Sequence, residues 1–245
     1  MKGVSKFSFD VLPFFYLGIS LCGLSLLVVI TLFARLSAAS FPLQKPLIVT
    51  IFVIICFLGI LAGIYPTRCL NIFYVKGVKD SDIYSSNSIS KEGMKINIVG
   101  HHPTCGKFSN HVINYGNKTY CAGCTGLVIG AIISILGSLL YLFISPINVT
   151  GNLPFFWIGF ALVFLGLIQH NLYNLGRSSF HMFLNIIFPV GALFLVIEIN
   201  EITDNFFLDL FLLALIIYWI STRIILSKAE HRKICAACNI KLCIK

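Results

Sequence analysis

Six of the nine cysteines fall into two clusters that also hold histidine. The first reads His101-His102-Pro103-Thr104-Cys105, then His111, then Cys121-Ala122-Gly123-Cys124. The second reads His231, then Cys235-Ala236-Ala237-Cys238, then Cys243. Each contains a C-x-x-C pair. Such a turn brings two thiolates to one metal from a single tight loop, and soft thiolates with imidazole suit zinc, at about 2.3 Å for Zn–S. These ten residues are the candidate ligands. They could close one shared site or two separate ones. An iron–sulfur cluster is the alternative cofactor, because at least four thiolates are available. Thiol–disulfide exchange at a C-x-x-C and plain unliganded cysteines also stay open. Cys22 and Cys56 lie in apolar runs and read as small packing residues.

A second polar constellation spans Gln169, His170, Asn171, Asn174, Arg177, Ser178, Ser179, His181 and Asn185. The plain reading is a solvated turn between two helices, with Gly176 closing one and Ser178 or Ser179 opening the next. The functional reading is an anion or headgroup site on Arg177, with His170 and His181 beside it as candidate catalytic groups.

The elements that must position these groups are membrane helices. Hydrophobic residues make up 58% of the 245, and charged ones 11%, against roughly a quarter in a soluble domain. Too little polar side chain is present to cover a water-facing globule, which excludes a soluble enzyme, a disordered chain and a small disulfide scaffold. A helix crossing the bilayer takes about 20 apolar residues. Spans are expected at Val11–Ala34, Pro46–Thr67, Thr125–Ile144, Leu153–His170, Phe180–Ile197 and Phe206–Leu226. The first is too long for a signal peptide's apolar core of about 7–15 residues and reads as a retained anchor. Asp209 and Arg223 are expected to snorkel from the ends of the last span.

Six spans place sixteen of the 18 Lys and Arg residues on one side, and only Arg35 and Lys45 on the other. The excess of positive charge puts both termini in the cytoplasm of a multi-pass cell-membrane protein. It also explains the net charge of +9, since basic residues at that face meet anionic headgroups. The basic residues are scattered, without the aromatic interleaving that stacks bases, so no nucleic-acid partner is expected. The cytosol keeps thiols reduced, which favours metal or redox use of the clusters over structural disulfides.

The chain then divides into residues 1–67, two transmembrane helices; 68–124, a cytoplasmic loop with the first cluster; 125–226, four transmembrane helices; and 227–245, a cytoplasmic cysteine-rich tail. The fold class is all-α: a polytopic bundle of about six transmembrane helices with a small cytoplasmic Cys/His module. Ala122, Gly126, Gly130, Ser134 and Ser138 recur every fourth position, and Gly59 and Gly63 do the same earlier. Such stripes let helices approach closely, within the chain or across a homo-oligomer seam. No span carries a charged residue at its centre, which argues against a proton-coupled transporter.

His102-Pro103, Cys121-x-x-Cys124-Thr125-Gly126 entering a helix, and Gly176-Arg177-Ser178 with Asn185 and Gly191 resemble a prokaryotic family of integral membrane proteins classed as a domain of unknown function. The family carries C-A-R-C-T-G at the mouth of a membrane helix. The resemblance covers roughly residues 100 to 194 and implies a cysteine motif at a helix mouth, without an established activity. Gly123 stands where the motif has Arg, so a cation beside the thiolates is missing here.

Function is therefore expected to be that of a membrane protein with a cytoplasmic zinc-type site, structural or scaffolding. One alternative is a metal-dependent membrane enzyme acting on a lipid or polar headgroup; another is a carrier gated by the metal module. The lipid bilayer is the expected partner, with a homo-oligomer or membrane-complex partner open. The tail is expected to dock onto the 100–124 loop, with ligands from both.

Overall fold

A computed structural model describes residues 5–33, 43–64, 98–99, 102–103, 111–115, 118–143, 153–169 and 178–237. Six long helices carry the fold: α1 (Ser5–Phe33), α2 (Gln44–Ile64), α3 (Ala122–Phe143), α4 (Leu153–Ile168), α5 (Ser178–Thr203) and α6 (Phe206–Ala237). Between α2 and α3 lie two short antiparallel hairpins that the hydropathy pattern does not reveal. β1 (Ile98–Val99) pairs with β2 (His102–Pro103), and β3 (Val112–Tyr115) pairs with β4 (Lys118–Cys121). Among the described residues, the bundle is all-α apart from these hairpins.

Among the described residues, five helices are long and apolar enough to cross a membrane: α1, α2, α3, α5 and α6. α4 is apolar but spans only 16 residues, about 24 Å at 1.5 Å per residue, against a hydrocarbon core of about 30 Å. The outer faces are apolar, with Phe14, Phe15, Ile54, Phe57, Leu136, Leu140 and Phe143 all exposed. That surface is unfavourable in water and suits lipid.

α5 is the axis of the bundle. Some 61% of its span is buried, against 22–33% for the other four, because α3 and α4 both pack along it. Small residues permit this. A Cβ on Gly126 would sit 2.3 Å from the Met182 carbonyl oxygen, and one on Gly130 2.5 Å from that of Ile186. The stripe on α3 thus serves packing within the chain, with Ala122, Ser134 and Ser138 also buried. Gly159 on α4 meets Gly191 on α5 in the same way, each Cβ position 3.0 Å from the other's carbonyl oxygen. Gly63 packs on Val128 of α3, whereas among the described residues nothing lies within 4 Å of a Cβ on Gly59.

α1 runs antiparallel to α6. The Tyr16 and Tyr218 rings stack at 5.6 Å, Ser20 and Thr222 share a hydroxyl hydrogen bond of 2.8 Å, and Gly23 faces Leu215. The start of α1 and the end of α6 therefore lie at one end of the bundle. A turn of two residues joins α5 to α6. Asp204 takes a positive φ of 43° there, which a short polar side chain tolerates. Asn205 then caps α6, its Oδ1 accepting from the Phe207 and Leu208 amides at 3.1 and 3.2 Å.

Two expectations about the last span are corrected. Asp209 does not snorkel: it is 1% exposed and turned into the bundle, held by Gln44 and Asn200. Arg223 also turns inward, its Nη2 donating to Gln169 and Asn185. In both cases neutral amides on neighbouring helices offer a better partner than the distant membrane surface.

Candidate functional site

The hairpin β3–β4 delivers the first cysteine pair to a helix mouth. Cys121 is the last residue of β4, paired with Val112, and α3 begins at Ala122. Cys124 therefore falls in the first helical turn, and the two thiols are within hydrogen-bonding reach of each other. No disulfide joins them. Ala122 between them is fully buried. A Cβ on Gly123 would touch Asn185 Nδ2 at 3.7 Å and Cys121 Sγ at 4.0 Å, so this position looks onto α5.

Three histidines form a second group, reached through His111, which adjoins the strand residue paired with Cys121. His111, which precedes β3, is 8% exposed, and His181 on the first turn of α5 is 3% exposed. Their rings stack at 5.9 Å. His231 on α6 meets His111 edge-on at 5.7 Å. His111, His181 and His231, one histidine from each sequence group, therefore meet at one end of the bundle. The connection to the tail is stiffer than a tether, since α6 continues unbroken to Ala237 and carries Cys235 four residues after His231. Positions four apart are neighbours on a helix surface.

Below this layer lies Arg223. Its Nη2 donates to Gln169 Oε1 at 2.8 Å and to Asn185 Oδ1, and its guanidinium sits 4.3 Å over the Phe188 ring. Gln169 Nε2 is 3.4 Å from His181 Nδ1, and Asn185 Nδ2 donates to the His181 carbonyl at 2.7 Å. Arg223 Nη1 is buried without a hydrogen-bond partner among the described residues. Sequence reading assigned the anion role to Arg177 and passed over Arg223. The available signal was its setting: an arginine followed by Ile224-Ile225-Leu226 inside an apolar run is a functional candidate by cost alone.

Of the sequence-derived candidates, the structure brings together Cys121 with Cys124, and His111 with His181 and His231. His102 is described only as a strand residue and Cys235 only as a helical one, their side chains lying outside the description. His101, Cys105, His170, Asn171, Asn174, Gly176, Arg177, Cys238 and Cys243 lie outside the described residues. Among the described residues no three His, Cys, Asp or Glu side chains form a metal-holding group.

An apolar exterior around helices of spanning length, with polar groups turned inward, defines a polytopic α-helical membrane protein. Comparison with protein-family models, curated proteins and solved structures finds no match.

Proposed function

We propose that the chain is a six-span membrane protein in which a zinc-type Cys/His module joins the 98–121 loop region to the end of α6, with a structural or scaffolding role. The observation that carries this reading is the His111–His231 contact at 5.7 Å, which joins two segments 120 residues apart, His111 directly preceding the strand residue that pairs with Cys121. Zinc in a structural site takes four ligands. The donor chemistry fits: Cys121 and Cys124 supply two sulfurs from one tight turn, and Cys105, Cys235, Cys238 and Cys243 are the source of the rest. The module is too small to have a core, so bound metal would supply its folding energy. The C-x-x-C-T-G resemblance agrees with a motif built for a helix mouth. The excess of Lys and Arg that a six-span reading of the sequence assigns to this side supports a cytoplasmic location, where thiols stay reduced.

The test is reciprocal loss of metal. Cys121→Ser and Cys235→Ser should each lower zinc per chain and expose the same region to hydrogen exchange. Deleting residues 230–245 should strip metal from the first cluster too. Full metal retention after that truncation would show that the clusters are independent.

A second reading rests on Arg223 Nη1, a buried donor without a partner among the described residues. A guanidinium in this position suits an anionic headgroup entering between α4, α5 and α6. Reconstituted into nanodiscs of phosphatidylglycerol, the protein should be more heat-stable than in phosphatidylcholine, and Arg223→Gln should abolish the difference. An equal preference in the variant removes this reading and leaves the metal module untouched.

A further inference from the structure

The opposite end of the bundle holds a second polar site that the cysteine chemistry does not involve. Asp209 is 1% exposed and Gln44 3% exposed. Gln44 Nε2 donates to Asp209 Oδ2 at 2.9 Å, and Asn200 Nδ2 donates to the same oxygen at 2.6 Å. Both donors are neutral amides. The remaining oxygens of this pair, Asp209 Oδ1 and Gln44 Oε1, are buried and have no hydrogen-bond partner among the described residues. Both are acceptors, so neither can satisfy the other. A buried carboxylate with this surrounding is strongly unfavourable unless positive charge reaches it.

Lys45, the residue after Gln44, is engaged elsewhere. Lys45 Nζ lies 3.5 Å from Glu201 Oε1 and 3.8 Å from the centre of the Tyr141 ring. Tyr141 Oη donates toward Glu201 Oε1 and Asn200 Oδ1 at 2.6 and 2.8 Å. The other titratable groups near Asp209 and Tyr141 are Asp204 on the turn and Glu198 on α5, both acidic. Among the described residues at this end, acceptors and negative charge thus outnumber donors.

We propose that Asp209 and Gln44 bind one monovalent cation, either a proton or a sodium-sized ion, at Asp209 Oδ1 and Gln44 Oε1. A proton on Oδ1 turns the carboxylate into a donor, and an acid facing a primary amide can then donate to Oε1 while the amide donates to Oδ2. A sodium ion would instead accept both oxygens as ligands. One carboxylate with neutral oxygens matches a single positive charge, whereas calcium gathers six to eight oxygens with several carboxylates among them. The site joins α2, α5 and α6, so occupancy would tie these helices together.

The full chain, purified in detergent, tests this with two readouts. Infrared spectroscopy reports a protonated carboxyl group, and thermal unfolding is compared in sodium chloride and choline chloride at equal ionic strength. For a proton, wild type shows a protonated-carboxyl band that Asp209→Asn removes, and sodium has no specific effect. For sodium, that band is absent, and sodium raises the unfolding temperature of wild type but not of Asp209→Asn. Gln44→Leu, which removes one oxygen, should then weaken the sodium response roughly tenfold, equivalent to about 1.4 kcal/mol. Should Asp209→Asn fail to accumulate, wild type and Gln44→Leu still give the reading. Absence of both the Asp209 band and a sodium-specific shift in wild type overturns the proposal.

Discussion

The Arg223 guanidinium lies 4.3 Å over the Phe188 ring while its Nη2 bonds Gln169 and Asn185. One charged side chain of α6 thus fixes the end of α4 to the first turns of α5. A planar fork can stack and donate sideways together, which an ammonium cannot. Arg223→Lys and Arg223→Gln should both lower the unfolding temperature in detergent, each by the equivalent of about 1–3 kcal/mol, because Gln169 and Asn185 lose a buried donor. An Arg223→Lys protein as stable as wild type would show that the charge alone matters.

The close approach of α3 to α5 depends on two glycines. Methyl groups at Gly126 and Gly130 would meet backbone carbonyl oxygens at 2.3 and 2.5 Å, which cannot move as a side chain tip can. Gly126→Ala and Gly130→Ala should each destabilise by about 1–3 kcal/mol. Gly59→Ala, with open space at its Cβ, should stay within about 0.5 kcal/mol of wild type. Thermal unfolding of the three variants side by side checks the ranking.

These contrasts show what the sequence conveys. A stripe of small residues is legible, but which stripe meets a neighbour is not: Gly59 and Gly63 look alike in sequence, and only Gly63 is packed. The positions of the spans follow from hydropathy because lipid rewards long apolar runs. Their ends do not. α5 continues past Ile197 to Thr203 because Glu198 and Asn200 are buried within the bundle and the more exposed Glu201 pairs with Lys45 and Tyr141. α6 continues past Leu226 through Lys228 to Ala237, since a helix that leaves the membrane has no need to stop there.

The candidate site was legible where residue type announces chemistry. Cys121 and Cys124 carry that signal in sequence and lie side by side, and His111, His181 and His231 carry it and form one group of rings. Asp209 and Arg223 were misread because a charge near a span's end has two outlets, the membrane surface or an inward amide. Gln44, Asn200, Gln169 and Asn185 decide that choice, and only the packing of distant helices brings them into place.

The pairing of α1 with α6 rests partly on hydroxyls. Ser20 Oγ and Thr222 Oγ1 lie 2.8 Å apart, both fully buried, and Trp219 Nε1 donates to the Ser20 carbonyl at 3.2 Å. A double-mutant cycle with Ser20→Ala and Thr222→Val should give a coupling of about 0.6 kcal/mol, the usual size for such a bond between membrane helices. Strictly additive effects would mean that Trp219 and the tyrosine stack hold the pair without the hydroxyls.

Elemental analysis of the purified, full-length protein tests the metal module most directly. The account predicts zinc at a whole-number ratio to protein, retained through purification without added metal and released by a strong chelator together with loss of order around residues 111–124 and 231–237. Iron in place of zinc, or a preparation with no bound metal that keeps those segments protected from hydrogen exchange, would contradict it.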